Sequence, residues 1–343
     1  MKHIGLDVHS TTTDISVFSD RGREILHSKI PTREAELVAF MKSIAGSKQV
    51  ALEESQMADM VTRIIEPFAA KVIRCLPQHN RLISQSENKC DREDARNLAE
   101  LLYLNKLKAV HHAPWAYRQL REGVRAYWTA SRDLTQAKNR LKAFLLFNGV
   151  TYEGERVYSQ RYRQDYIQAA EKISANRHLL GQRYQHLDFC RTGKATHIKI
   201  LKELVQFSKQ EMHCLMTHPG IGFIGACTLI AYLENGWRIR NKRKLWQYCG
   251  VGVRKRESST KGHRGASRKG NRYLKNVLMT AAAAISARRK PDNALTRMWR
   301  SEVEAGIEVE RAKRNLARKV AVLAQRSLRF KEEYHDDRVV TTQ

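Results

Sequence analysis

The chain has 343 residues, 62 of them Lys or Arg against 35 Asp or Glu, for a formal net charge of +27 and a pI near 10.1. Such an excess favours polyanionic partners, nucleic acid before an anionic membrane surface, and an apolar content of 42% supports real cores and excludes a disordered chain. No apolar run reaches the about 18 residues of a membrane span, and Met1–Asp7 lacks the apolar stretch of a signal peptide. The expectation is therefore a cytoplasmic protein with no membrane partner.

Residues 3–30 read as two or three strands. Ile4, Leu6 and Val8 alternate with small or polar residues, and Ile15 and Val17 begin a second alternation after a Ser10–Thr13 turn. A helix is predicted over 33–45, a short strand Val50-Ala51-Leu52 ending at Glu53, a helix over 56–69, and a strand from Lys71 to Leu76 stopped by Pro77. Ala95, Leu98, Leu101 and Leu102 supply one apolar face of a helix over 91–104. Strands followed by alternating helix and strand point to an α/β domain of RNase H type over 1–112.

After Pro114 the pattern turns helical. Leu120, Tyr127, Leu134 and Leu141 recur every seven residues, with Val124 and Leu145 at the companion position and Ser131 and Lys138 interrupting it. This partial heptad suits a coiled-coil-like spacer over 113–210 that sets dimer geometry, or equally helix packing within one chain. The third region, 211–343, is expected to be mainly helical. Leu215 to Leu233 reads as helix, glycine turn, helix around Pro219-Gly220-Ile221-Gly222. From Arg238 to Lys275 there are fourteen Lys or Arg and one acid, Glu257, broken by glycines, so a basic loop rather than a helix is expected. Helices over Tyr273–Arg289 and about Asn293–Phe330 close the chain. The six cysteines form no CxxC pair, which argues against a zinc ribbon.

Four acids in this basic chain stand out. Asp7 sits near the end of one apolar strand, Glu53 ends a second, and Asp91 and Asp94 lie three apart at a helix start, on one face. Acids from separate elements can converge on magnesium, which prefers oxygen ligands, and such clusters stabilise the attacking and leaving oxygens of phosphoryl transfer. Each acid also has an ordinary use, as a helix cap or a solvated strand end. Glu54 competes with Glu53, and alternation lets only one of the two face Asp7.

The C-terminal region offers phosphate-binding chemistry. The backbone N–H groups of the Gly220–Gly222 turn can meet a phosphate, or simply join two helices. Arg254-Lys255-Arg256-Glu257-Ser258-Ser259 sets a serine among cations able to stabilise transition-state charge. From chemistry alone a plain phosphate-binding loop explains it as well, and Ser259, Thr260 and Ser267 offer equal hydroxyls. Lys261 and the stretch Arg264-Gly265-Ala266-Ser267-Arg268-Lys269-Gly270-Asn271-Arg272 form a basic glycine-rich clamp for nucleic acid.

These motifs, in this order, resemble the DEDD transposases of the IS one-ten type insertion sequences, relatives of the Piv-type DNA invertases. Ile4-Gly5-Leu6-Asp7 resembles the first acidic motif, Val50-Ala51-Leu52-Glu53 with Ser55 the second, and Lys89-Cys90-Asp91-Arg92-Glu93-Asp94-Ala95 the K-x-D-x-x-D-A signature. Pro219-Gly220-Ile221-Gly222 with Ala226, Tyr248-Cys249-Gly250-Val251 and Lys269-Gly270-Asn271-Arg272-Tyr273-Leu274 resemble the C-terminal transposase domain. The resemblance implies a RuvC-like first domain, a magnesium (Mg2+) site of Asp7, Glu53, Asp91 and Asp94, and Ser258 as nucleophile through a transient phosphoserine link. It also implies donor and target DNA, a noncoding bridge RNA, and dimers that pair into a tetramer. The chain departs from the family in having Ser259 after the serine, where glycine is usual, and Glu54-Ser55-Gln56 after Glu53. Three functions are carried forward: a serine recombinase, a metal-dependent nuclease or junction resolvase that uses water, and a non-catalytic nucleic-acid-binding protein.

Overall fold

The computed structural model describes residues 1–76, 91–170, 174–255, 264–266, 270–287 and 293–340. The chain divides into two compact units, Met1–His112 and Ala113–Gln343.

The first unit is a five-stranded mixed sheet in the order β3-β2-β1-β4-β5. Strands β1 (Lys2–Val8), β2 (Thr12–Phe18) and β3 (Glu24–Pro31) form an antiparallel meander, and β4 (Lys48–Glu53) and β5 (Lys71–Cys75) extend β1 in parallel. The two-residue alternation of strands sorts the side chains. Ile4, Leu6, Ile15, Val17, Val50 and Leu52 pack against α1 (Glu34–Ser43) and α2 (Ala58–Ile65) through Leu37, Met41, Val61 and Ile65. The helix expected over 56–69 is shorter than its pattern, because Pro67 tightens its end into a 3-10 turn at Glu66–Phe68.

The other face carries Gly5, Asp7, Ala51, Glu53 and Cys75, and α3 (Asp91–Tyr103) packs there through Leu98, Leu101 and Leu102. Gly5 permits this packing. A Cβ at that position would meet Ala99 N at 2.5 Å and Leu98 Cβ at 2.9 Å, so α3 rests directly on the β1 backbone.

In the second unit, α4 (Trp115–Phe147) and α6 (Ser174–Leu204) form an antiparallel hairpin. Leu120 and Val124, early in α4, share a core with Leu201 and Val205, whereas Leu141 and Leu145, late in α4, pack with Leu180, Tyr184 and Leu187. The heptad stripe is thus buried within the chain itself. The short α5 (Arg163–Ala170) packs at the far end of this pair.

Residues 113–210 are not a separate compact unit from 211–343. Leu120, Val124 and Tyr127 join the C-terminal core, built on α8 (Phe223–Leu233), α10 (Arg272–Ser286) and α12 (Val309–Phe330). Arg121 Nε also donates to Ala231 O at 2.7 Å.

Two expectations are corrected. The segment read as an uninterrupted basic loop contains a two-turn helix, α9 (Lys242–Tyr248), because Asn241 Oδ1 accepts from the N–H groups of Arg243 and Lys244 and caps it. The single helix expected over 293–330 is two, α11 (Ala294–Glu304) and α12, separated where Ala305-Gly306 stops the first. The expected helix, glycine turn, helix is present as α7 (Lys209–Met216), the turn, and α8.

Replacing Gly5 by Ala is expected to destabilise the first unit by about 1–3 kcal/mol through overpacking. The check is a lower urea midpoint at unchanged slope; an unmoved midpoint would show that α3 can lift from β1 without cost.

Candidate active site

Strand register and helix phase place Asp7, Glu53 and the first turn of α3 on one face of the sheet. Asp7 is the cross-strand partner of Asp14 on β2, so both project toward the α3 side. Glu53 follows Leu52, the parallel partner of Leu6, and shares the face of Ala51 and Gly5. The first turn of α3 adds Asp91 and Asp94, whose negative charge suits a helix N-terminus.

Like charges directly opposite on a sheet destabilise it, and the Lys29 ammonium and the His9 ring answer that here. Lys29 Nζ lies 3.0 Å from Asp14 Oδ2 and 3.5 Å from Asp91 Oδ2. His9 Nε2 donates to Asp7 Oδ2 at 3.1 Å and lies 3.5 Å from Asp91 Oδ1. Asp14 is buried, which without Lys29 would be costly, and its carboxylate holds the Lys29 ammonium above its ordinary pKa. His27 Nε2 completes the row, 3.6 Å from Asp14 Oδ1.

The Asp7 carboxyl is raised above its ordinary pKa, first by burial. His9 opposes the shift, and the charges of Asp94 and Asp91 add to it. Both helix acids therefore lie within the field of Asp7. One oxygen each from Asp7 and Asp91 and a ring nitrogen of His9 all fall within 4.8 Å of one another, a grouping able to hold a metal ion.

Glu53 and Glu54 have different surroundings. Glu54 is engaged by the buried Arg74, whose Nε donates to Oε2 at 3.0 Å and Nη2 to Oε1 at 2.6 Å, while Arg74 also pairs with Asp59. Glu53 stands on the α3 face and raises the thiol pKa of its neighbour Cys75, which burial first pushes up to about 12. That thiol is inert as a nucleophile at neutral pH.

The C-terminal candidates fall in the second unit. Arg254 and Lys255 lie on β6 (Val253–Lys255) and Arg264 on β7 (Arg264–Ala266), a two-stranded hairpin in which Lys255 is the register partner of Arg264. Ser258, with Arg256, Glu257 and Lys261, belongs to the connection between these strands. These residues, and Arg268 and Lys269 beyond β7, lie outside the described residues. The foot of the hairpin is closely held. Asn271 N donates to Tyr248 O at 2.7 Å, and a Cβ on Gly270 would meet Gly250 Cα at 2.6 Å, so the two motif glycines touch backbone to backbone.

Arg272, in the first turn of α10, is exposed, and its Nη2 donates to Tyr273 Oη at 2.8 Å. At the glycine turn, a Cβ on Gly220 would meet Ala281 O at 2.7 Å, so that glycine serves packing on α10. Gly222 is exposed and precedes the first residue of α8.

The sequence reading missed His9, Asp14 and Lys29. Their one signal is positional: His9 is two residues from Asp7, and Asp14 interrupts an apolar strand. Asp94→Asn is expected to move the titration of the Asp7 carboxyl down, and His9→Ala to move it up, read by carbon-13 NMR. An Asp7 resonance that titrates identically in both variants would show that these groups do not share one field.

Comparison with known proteins covers both units. Residues 4–148 match the DEDD transposase family model of IS110 type, and residues 212–297 match the Transposase IS116/IS110/IS902 family. A Sinorhizobium fredii (strain NBRC 101917 / NGR234) protein named "Putative transposase y4qE" is 27% identical over 206 residues, 57% of this chain. The chain spans about half, 47%, of that relative's length. With acidic motifs in the first unit and the transposase motifs in the second, matched in the same order, the chain belongs to the IS110-type DEDD transposases.

Proposed function

We propose that this chain cuts and rejoins the DNA of an insertion sequence, with Asp7, Glu53, Asp91 and Asp94 holding Mg2+ and Ser258 as the nucleophile. The observation that carries the first half is the approach of Asp91 and Asp94, from the first turn of α3, to Asp7 on β1. The donor set fits a hard divalent cation, since carboxylate oxygens dominate it. When bound, the cation would polarise a phosphodiester and balance charge on its oxygens. Lys29 supplies positive charge to the cluster, and His9 hydrogen-bonds the Asp7 carboxylate.

In this reading Ser258 Oγ attacks the phosphorus of a DNA phosphodiester, and a phosphoserine ester forms as the bond to the leaving deoxyribose oxygen breaks. The serine proton passes to a base and the leaving oxygen takes up a proton. A hydroxyl of the second DNA strand then attacks the same phosphorus, the ester to serine breaks, and the serine regains its proton. The cationic residues Arg254, Lys255, Arg256, Lys261, Arg264, Arg268, Lys269 and Arg272 would hold phosphates, as would the N–H groups beside Gly220 and Gly222. Recognition of donor and target DNA by a noncoding bridge RNA, and dimers paired into a tetramer, complete the proposal on the family resemblance.

Asp7→Asn and Ser258→Ala are each expected to abolish strand exchange while DNA binding survives. The loss at Asp7 should exceed the roughly 10–100-fold cost of removing outer groups of a metal site. Strand cutting without rejoining in Ser258→Ala would instead assign the reaction to water, as in a junction resolvase.

A second measurement needs no activity. Burial raises the Asp7 pKa in the fold. The stability this group contributes is therefore lost as pH rises from its unfolded value through its folded one, and the ionised form opposes folding at neutral pH. Mg2+ should therefore raise the Tm of the wild type, by an amount equivalent to about 2.7 kcal/mol at a hundred times its Kd, and leave Asp7→Asn unmoved. Equal shifts in both proteins would place the cation elsewhere.

A further inference from the structure

We propose that the cleft between α4 and α10 is a stacking site for one unpaired nucleotide of a single-stranded nucleic acid. This rests on the reading that the chain handles nucleic acid, and it names a contact distinct from the carboxylates and the serine hairpin.

The cleft is lined by Trp128, Thr129 and Arg132 from α4 and by Arg272, Tyr273 and Asn276 from α10. Each helix gives residues i, i+1 and i+4, so one stripe of each faces the same space. The composition is what an unpaired base needs: aromatic faces for stacking, guanidinium groups for phosphate, and an amide and a hydroxyl for base edges. A duplex hides its base faces, so the aromatic part of this lining has no use against paired DNA. The space is about 260 Å3, below the roughly 300–1,000 Å3 of pockets that enclose a whole small molecule, so it suits a single planar group entering from outside.

The lining is braced from behind. Tyr273 stacks on the buried Tyr232, with ring centroids 5.7 Å apart and planes 12° apart. Tyr232 in turn lies under Arg121, whose guanidinium is 5.6 Å from its ring centroid and is held by Glu234. Trp128 meets Tyr127 edge to face at 5.6 Å. The rings therefore stand in fixed orientations before a ligand arrives, which lowers the ordering cost of binding.

The two flanking cations remain available. Arg272 is exposed, lies 4.9 Å from the Tyr273 ring centroid and donates only to that phenol oxygen among the described residues. Arg132 is exposed and has no carboxylate partner among the described residues. On the same helix, Arg125 is paired with Glu122 and Arg121 with Glu234.

The test is fluorescence anisotropy of the full chain with labelled oligothymidylate, oligouridylate and a mixed-sequence duplex, in EDTA so that no cation site takes part. Trp128→Leu is expected to weaken single-strand binding about 10-fold, within the range for loss of one base–aromatic stack, and to change duplex binding less than 2-fold. The arm that loses more, thymidylate or uridylate, identifies the strand as DNA or RNA. Because Trp128 also packs on Tyr127, the exposed pair Arg132→Ala with Arg272→Ala serves as a variant that leaves the core alone. It should reduce the slope of log affinity against log salt for the single strand by about 1.4.

Single-strand affinity unchanged in both variants, or a duplex loss as large as the single-strand loss in Trp128→Leu, would overturn the proposal. That failure is separable from failure of the recombination reading. A protein whose strand exchange depends on Asp7, yet whose oligonucleotide binding ignores Trp128 and the two arginines, keeps its function and loses this cleft.

Discussion

The contact of α3 with the bare backbone of β1 at Gly5 is the constraint on which the first unit depends. A strand carrying any larger residue there would hold the helix off the sheet. The first turn of α3 would move away with it, and Asp91 and Asp94 would leave the field of Asp7. One missing side chain thus sets the distance between acids that belong to separate elements and are 84 and 87 positions apart in the sequence. The apolar packing of Leu98, Leu101 and Leu102 holds the helix at that distance.

Gathering acids has an electrostatic cost that the fold meets locally. The chain as a whole is strongly cationic, but charges beyond roughly 8–10 Å are screened in physiological salt, so distant lysines and arginines relieve the cluster little. Lys29 and His9 act within contact distance instead. Each bridges two carboxylates from different elements and so fixes the positions of the acids, and the Lys29 charge lowers their repulsion. Arg74 does corresponding work on the far side of β4, where its engagement of Glu54 and Asp59 leaves Glu53 as the member of the pair on the Asp7 face.

Much of this was legible in the residues. The strands of the sheet, α1, α3 and the glycine turn between α7 and α8 follow from periodicity and punctuation, because each is long or strongly marked. Asp7 and Glu53 were visible as acids at or near the ends of apolar strands, and Asp91 and Asp94 as an i, i+3 pair. Lys29 and Asp14 were not, since their meaning comes from cross-strand register, which pattern alone leaves open. α9 was hidden because its apolar residues are few and its basic charge read as loop; the Asn241 cap is what makes it a helix. The heptads of α4 carried a correct apolar stripe but no information about its partners, which are α6 along the hairpin and, for Leu120, Val124 and Tyr127, the C-terminal core as well.

That last point limits how two copies of this chain could meet. An apolar seam closed by a helix of the same polypeptide has no surface left to offer a neighbour, and opening it would expose Leu141, Leu145 and Tyr184 to water. Self-association through the hairpin would therefore have to use its outward side, where Phe147 is 89% and Phe189 76% exposed. The register of such a pair would be set by a few isolated rings rather than by a repeating zipper, and it could be altered without unfolding either subunit.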